Sequence, residues 1–200
     1  EANVVSAYTQ SLEAQKQVQI AEKGVDLRQL SLNIAQIRQR NGSGTAFDVR
    51  DAQNQLEDAR KNVVSAKDSF NTALRSLQNI IGAFDNKVSV PQLAQLPGMV
   101  DAKMTETVVN RSTSVARSRQ GLEQAKQQVA LLDPSYSAQS QIDAASTDQK
   151  RLKSGLISQL QLTQTELSTL QAELGVIQAR STYLKAYYNF LAGSAGAGGR

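Results

Sequence analysis

The sequence predicts an all-α fold, in which two long antiparallel coiled-coil hairpins are related by an internal repeat and joined by an irregular equatorial connector. Apolar residues recur in steps of three and four over long stretches without proline, which is typical of helices packed through narrow seams. A pattern of arginine, glycine four residues later and a hydroxyl residue three further on occurs at 38–45 and again at 151–158. Because the two copies stand 113 positions apart, the repeat indicates two equivalent hairpins.

The first hairpin is predicted over residues 1–82, with its tip turn at 41–45. Glycine tolerates positive φ and therefore ends a helix in this turn. Thr45 is a suitable N-cap for the helix that follows, and Asp48 stands near the positive end of that helix dipole. The second helix carries the most regular apolar stripe of the chain, in which alanine alternates with larger residues: Val49, Ala52, Leu56, Ala59, Val63, Ala66, Phe70, Ala73, Leu77 and Ile80.

A change in composition marks the predicted connector at residues 83–104. Pro91, Pro97 and Gly98 stand there among short apolar pieces, and proline and glycine are the strongest interruptions of regular structure. This segment is expected to be irregular and to lead from one hairpin to the next.

The second half of the repeat is predicted over residues 105–192, which would hold a third helix and the second hairpin. Its tip turn is placed at 154–158, and Ser158 is the expected N-cap of the last helix. The Gly- and Ala-rich end, residues 193–200, is predicted to be a flexible tail. The aromatic residues near the helix ends are expected to fill seams rather than to form a ligand cage: Tyr8, Phe70, Tyr183, Tyr187 and Tyr188.

The composition argues against catalysis and against nucleic-acid binding. The chain has no His and no Cys, so it lacks the commonest general base, the commonest metal ligand and the thiol nucleophile. We therefore expect no enzyme activity, no cofactor and no metal. Its net charge is only +4, and Lys and Arg are dispersed among acidic and amide residues, which is typical of a solvated helix face.

The segment around the first turn resembles the periplasmic turn of TolC-like outer membrane efflux proteins. The residues that carry this resemblance are Arg38, Gly42, Thr45, the Asp48-Val49 pair and Ala52. The second copy repeats the pattern with Arg151, Gly155, Ser158 and Leu162, but has Gln161 in place of the aspartate and Thr165 in place of the alanine.

The resemblance implies a homotrimeric duct in the Gram-negative cell envelope. Each protomer would give two hairpins to a helical barrel that crosses the periplasm and is attached to the outer membrane. The hairpin tips would meet a periplasmic adaptor of the membrane-fusion type, fed by an inner-membrane pump. A small molecule or a protein would leave the cell through the bore.

The resemblance also assigns roles to residues at the two tips. The residues expected to dock the adaptor are Arg38, Asn41, Gly42, Ser43, Gly44, Thr45, Arg151, Gly155, Leu156, Ile157 and Ser158. A pair between Asp48 of one hairpin and Arg151 of another would hold the entrance of the duct closed.

The family pattern also requires membrane strands, which the sequence has little room for. Only 21 steps separate Pro134 from Gly155. Two strands of about 9–11 residues each, together with the helices on either side, need more. We therefore expect the membrane strands and the upper part of one helix to be missing from this sequence.

Two other functions share some of these features. A periplasmic membrane-fusion adaptor also has a helical hairpin, and its tip resembles Arg151-Leu152 followed by residues 155–158. A structural coiled-coil scaffold without a transport role would share the heptads. The doubled turn and the Asp48-Val49 pair favour the duct.

Overall fold

The predicted all-α class is confirmed by the computed structural model, which describes residues 2–82, 117, 120–125, 127, 128, 148 and 158–197. Three long helices are described from end to end: α1 is Ala2–Arg40, α2 is Ala46–Ile81 and α3 is Gln159–Ala197. Residues 117, 120–125, 127, 128 and 148 are also helical. No residue described here is in a strand. At about 1.5 Å per residue, each helix is on the order of 55 Å long. The predicted connector, most of the predicted third helix and residues 151–157 of the second tip lie outside the described residues.

The chain divides into two compact units, and each helix contributes to both. Unit 1 comprises Glu1–Glu13, Ala73–Pro134 and Gly175–Arg200. Unit 2 comprises Ala14–Thr72 and Ser135–Leu174 and therefore contains the first tip turn.

In unit 2, α1 and α2 form an antiparallel pair. Lys67 of α2 forms an ion pair with Glu22 of α1 at 2.8 Å. Nearer the turn, the Arg28 guanidinium donates a hydrogen bond of 2.9 Å to Gln55 Oε1. Because the later residue of α1 meets the earlier residue of α2, the two helices run in opposite directions.

The same part of α1 also pairs with α3, again in the antiparallel sense. Lys16 lies 2.5 Å from Glu173, and Lys23 lies 2.5 Å from Glu166. In unit 2, charged side chains of α2 and of α3 thus both form ion pairs with α1.

The apolar stripe predicted on α2 is the face that this helix turns inward. Leu56 and Leu77 are 5% exposed, and every other position of the stripe except Ile80 is half-buried. The residues between stripe positions are almost all exposed, among them Val64 at 60%. The heptad pattern therefore predicts the buried face of α2 correctly.

In unit 1, small hydroxyl residues are buried within the helices. Thr9, Ser11 and Ser181 are at most 1% exposed. Each donates its hydroxyl to a carbonyl of its own helix, as Ser181 does to Ile177 at 2.8 Å. Their hydrogen-bonding capacity is met locally, so these small side chains can lie in a close-packed interior without an unpaired donor.

The aromatic residues near the end of α3 pack against one another. The rings of Tyr183 and Tyr187 are stacked with centroids 6.3 Å apart, and Tyr188 meets Tyr187 edge-on at 5.4 Å. Burial, followed by the charges of Tyr187 and Glu123, raises the pKa of Tyr183. Of the five residues predicted to fill seams, Tyr183 is buried and the other four are half-buried: Tyr8, Phe70, Tyr187 and Tyr188. Phe190, which was not among them, is also buried.

The predicted flexible tail is wrong for its first part, because α3 continues to Ala197. The residues beyond 192 alternate alanine and serine with glycine and include no proline. Alanine is the best helix former, and isolated glycines weaken a helix without ending it. The sequence therefore contains no stop signal at residue 193.

Candidate functional site

The tip between α1 and α2 closes α1 with a Schellman motif. The N–H of Gly42 donates to the carbonyl of Gln39 at 3.0 Å, and the N–H of Ser43 donates to the carbonyl of Arg38 at 2.9 Å. Gly42 has a φ of 71°, the left-handed conformation that this motif requires. The hydroxyl of Ser43 also donates to the Arg38 carbonyl, at 3.2 Å. The last carbonyls of α1 are thus bonded inside the turn.

The start of α2 is closed by a reciprocal pair of bonds between Thr45 and Asp48. The N–H of Asp48 donates to the Thr45 hydroxyl oxygen at 3.1 Å. In return, the Asp48 carboxylate accepts the Thr45 N–H at 2.7 Å and the Thr45 hydroxyl at 2.8 Å. This is a capping box with aspartate in place of the usual glutamate. The predicted N-cap at Thr45 is therefore confirmed.

These bonds determine the ionisation of Asp48. The backbone hydrogen bond from Thr45, then its side-chain hydrogen bond, lower the pKa of the Asp48 carboxyl below its ordinary value of 3.8. Desolvation opposes these bonds, and the positive charge of Arg38 makes the smallest contribution, which again lowers the pKa. Asp48 is thus an anion at neutral pH, fully exposed at the tip.

Gly44 lies close to the end of α1 and leaves little space for a side chain. A Cβ atom built on Gly44 would lie 3.0 Å from the Cβ of Arg38 and 3.2 Å from the backbone nitrogen of Gln39. A side chain here would push the turn away from the end of α1. At Gly42 the space is open and the reason is the positive φ instead.

A shallow groove of about 410 Å³ lies beside this turn in unit 2. It combines an apolar floor with the opposite charges of Arg38 and Asp48. Its lining residues are Ser31, Ile34, Ala35, Arg38, Ser43, Gly44, Asp48 and Leu160.

Two large apolar side chains at the tip are exposed to solvent. Ile37 is 51% exposed and Phe47 is 68% exposed, and they stand on either side of the turn in the sequence. We call these two residues the tip apolar pair. An exposed apolar patch is a mark of an interaction surface, and these two side chains are the candidates for one at this tip.

The structure describes one residue of the predicted second docking tip. Ser158 caps α3, because its hydroxyl accepts a hydrogen bond of 3.2 Å from the N–H of Gln161. Thr45 and Ser158, the two equivalent hydroxyl residues of the repeat, thus both accept a hydrogen bond from the N–H three residues later. Arg151 and residues 155–157 lie outside the described residues, and so does the predicted pair between Asp48 and Arg151.

The sequence reasoning missed three features of the first tip. The Thr-x-x-Asp spacing was available as the signal of a capping box. Phe47 does not lie on the helix face of the stripe that begins at Val49, and its exposure could have been predicted from that position. The contribution of Leu160 to the groove has no local signal, since it comes from a distant segment.

Among the described residues, no group of three or more acidic, histidine or cysteine side chains could hold a metal ion. No helix in the described part of the chain combines the length and the hydropathy that a membrane span needs.

Comparisons with known proteins found a family match over the first hairpin and a solved structure of similar fold. The family model described as "Outer membrane efflux protein" matches residues 2–83, which include α1, the first turn and α2. A solved structure of CusC, from work on the conformational changes that accompany its folding and transmembrane channel formation, is similar in fold. Its TM-score is 0.71 at 11% sequence identity, over 100% of this chain and 77% of that chain. No curated protein sequence matches the chain.

The family match agrees with the predicted location in the Gram-negative envelope, at the outer membrane with a periplasmic portion. The matched family consists of transport channels rather than enzymes. The chain therefore resembles an outer membrane efflux protein, both in the sequence of its first hairpin and in the fold of its helices.

Proposed function

We propose that the chain is the periplasmic helical part of a homotrimeric efflux duct and that it docks a periplasmic adaptor through its hairpin tips. The observation that carries the docking proposal is the tip apolar pair, because Ile37 and Phe47 remain exposed beside a turn whose backbone is fixed at both ends. A rigid surface loses little conformational entropy when a partner binds.

The polar groups of the tip complement this apolar surface. Ile37 and Phe47 are the sequence neighbours of Arg38 and Asp48, which line the groove, so a partner at this tip would meet apolar area and two opposite charges together. Fixed charges at the rim of an interface select the orientation of a partner more than they add affinity. We further propose that the tip binds the hairpins of the adaptor, and that the adaptor is fed by an inner-membrane pump. The exported substrate would be a small molecule or a protein.

The proposed trimer is supported by the burial along α2. Most of its stripe is only half-buried by this chain, and its alanine positions leave room for another helix to approach.

The family match over this hairpin favours the duct over a membrane-fusion adaptor or a structural scaffold.

Site-specific photocrosslinking in cells tests the docking proposal. A benzophenone amino acid at Phe47 should crosslink to a periplasmic adaptor, identified by mass spectrometry, because this position would lie in the interface. Val64 is the matched control, since it is an apolar residue of the same helix that is 60% exposed but stands more than four turns from the tip.

The outcome at the two positions decides the proposal. A crosslink to the adaptor at Phe47 that is several-fold stronger than at Val64 supports docking through the tip. Equal crosslinking at both positions, or adaptor crosslinks from Val64 alone, would show that the adaptor does not bind at this tip.

A further inference from the structure

Two lysine–glutamate pairs join α1 and α3 one heptad apart. Lys16–Glu173 and Lys23–Glu166 both have a nitrogen–oxygen distance of 2.5 Å. Between the first pair and the second, the position on α1 increases by seven and the position on α3 decreases by seven. The pairs therefore belong to a single antiparallel register.

These charges are less accessible than ordinary surface pairs. The side chains of Lys16 and Glu173 are 17% and 31% exposed, and those of Lys23 and Glu166 are 28% and 24% exposed. A partly buried charge that loses its partner carries a desolvation cost, whereas a fully exposed one is satisfied by water. Separating either lysine from its glutamate should therefore lower the stability of the folded chain.

The register of α1 on α3 needs such a determinant because no short turn sets it. A turn of five residues, 41–45, fixes the register of α1 against α2. In contrast, residues 82–158 separate the end of α2 from the start of α3. Heptad-spaced seams also allow two helices to slide by seven residues, about 10 Å, and still place apolar residues against each other.

We propose that Lys16, Lys23, Glu166 and Glu173 select the register of α1 against α3. The observed register satisfies both pairs. A slide of one heptad in one direction keeps only a Lys16–Glu166 pair, and the opposite slide keeps only a Lys23–Glu173 pair. Either slide separates one lysine and one glutamate from their partners on the other helix. On its own helix, Lys23 keeps only the longer ion pair with Asp26, at 3.8 Å, and Lys16 keeps a hydrogen bond to Gln19. This inference does not depend on the proposed transport function.

Two charge-exchange variants of identical composition test the proposal. The matched variant, Lys16→Glu with Glu173→Lys, restores two attractive pairs in the observed register and makes both slides repulsive. The crossed variant, Lys16→Glu with Glu166→Lys, puts like charges together in the observed register and makes an attractive pair in either slide. Each variant exchanges one lysine for glutamate and one glutamate for lysine.

The register can be measured with a pair of spin labels. The chain has no Cys, so cysteines introduced at Gln17 and Gln164, both exposed, would be the only thiols. These positions are axially offset in the observed register, and a one-heptad slide changes that offset by about 10 Å. Double electron–electron resonance should give the unmodified distance in the matched variant and a shifted distance in the crossed variant. An unshifted distance in a helical crossed variant would overturn the proposal.

A neutral variant covers the case in which the crossed variant does not fold. Lys16→Met with Lys23→Met removes the two positive charges and keeps the apolar stems of the side chains. We expect a broader label distance with an added population, in which the axial offset between the labels differs by about 10 Å. A single narrow distance equal to that of the unmodified chain would show that the pairs do not select the register.

Discussion

Asp48 stabilises the start of α2 through its charge. Its carboxylate accepts two hydrogen bonds from Thr45, and these bonds are the main reason why its pKa lies below 3.8. A carboxyl group whose pKa is lowered on folding adds stability above its unfolded pKa and loses that contribution as pH falls through the folded value. The capping box is thus intact at neutral pH and weakens only in acid.

The substitution Asp48→Asn should therefore lower the free energy of unfolding at neutral pH, because it removes the charge that accepts the Thr45 N–H. The difference from the unmodified chain should shrink as pH falls from 3.8, the ordinary pKa, through the lower pKa of folded Asp48. Urea unfolding followed at a series of pH values measures this difference.

Asp68→Asn is the control for this titration, since it removes an exposed carboxylate from the middle of the same helix, away from the cap. A difference between the Asp48→Asn variant and the unmodified chain that is as large at pH 3 as at pH 7 would contradict the assigned role of the charge.

At the scale of the helix, α2 is buried along its stripe and exposed elsewhere. Truncating a side chain to alanine should therefore lower the free energy of unfolding strongly on the stripe and hardly at all off it. Leu56→Ala removes a side chain that is 5% exposed and should lower the free energy of unfolding by about 2–5 kcal/mol. Val64→Ala, at a position that is 60% exposed, should change it by less than about 0.5 kcal/mol.

Denaturant unfolding of the two variants measures both values under the same conditions. Similar values for the two substitutions would mean that the stripe does not form the packed face of α2 in solution.

The helices also show which features a sequence determines locally. The bounds of α2 follow from the glycines of the turn, from Thr45 and from a strict heptad, all of which are local signals. The extent of α3 does not, because a glycine-containing tail without proline can remain helical or can fray. The Lys16–Glu173 and Lys23–Glu166 pairs were also beyond prediction, since they join segments that are far apart in the sequence and depend on which helices become neighbours.

The candidate site divides in the same way. The turn residues and the N-cap could be predicted, because glycine and threonine act on the backbone next to them. The exposure of Phe47 was also available from its position off the stripe. The groove could not be predicted, because it includes Leu160 and so depends on which distant segment packs nearby.

For the whole molecule, the half-buried stripe of α2 predicts self-association. The alanine positions of this stripe are only partly covered within one chain, and apolar area of this kind is stabilised when another helix covers it. We expect the chain to form trimers whose population rises with concentration, and sedimentation equilibrium over a wide range of concentrations measures this. A helical chain that remains monomeric at several hundred micromolar would contradict the proposed trimer.

The two caps of the first tip have a consequence for how its shape is maintained. All of the bonds that define the turn join residues between Ile37 and Asp48 or Val49, and none reaches a distant segment. The turn therefore needs no tertiary support for its conformation and can form early, while the long helices are still assembling. Displacements at the far ends of α1 and α2 would carry the tip as a rigid body instead of remodelling it. Residues 37–49 should therefore keep their conformation when they replace the turn of another helical hairpin.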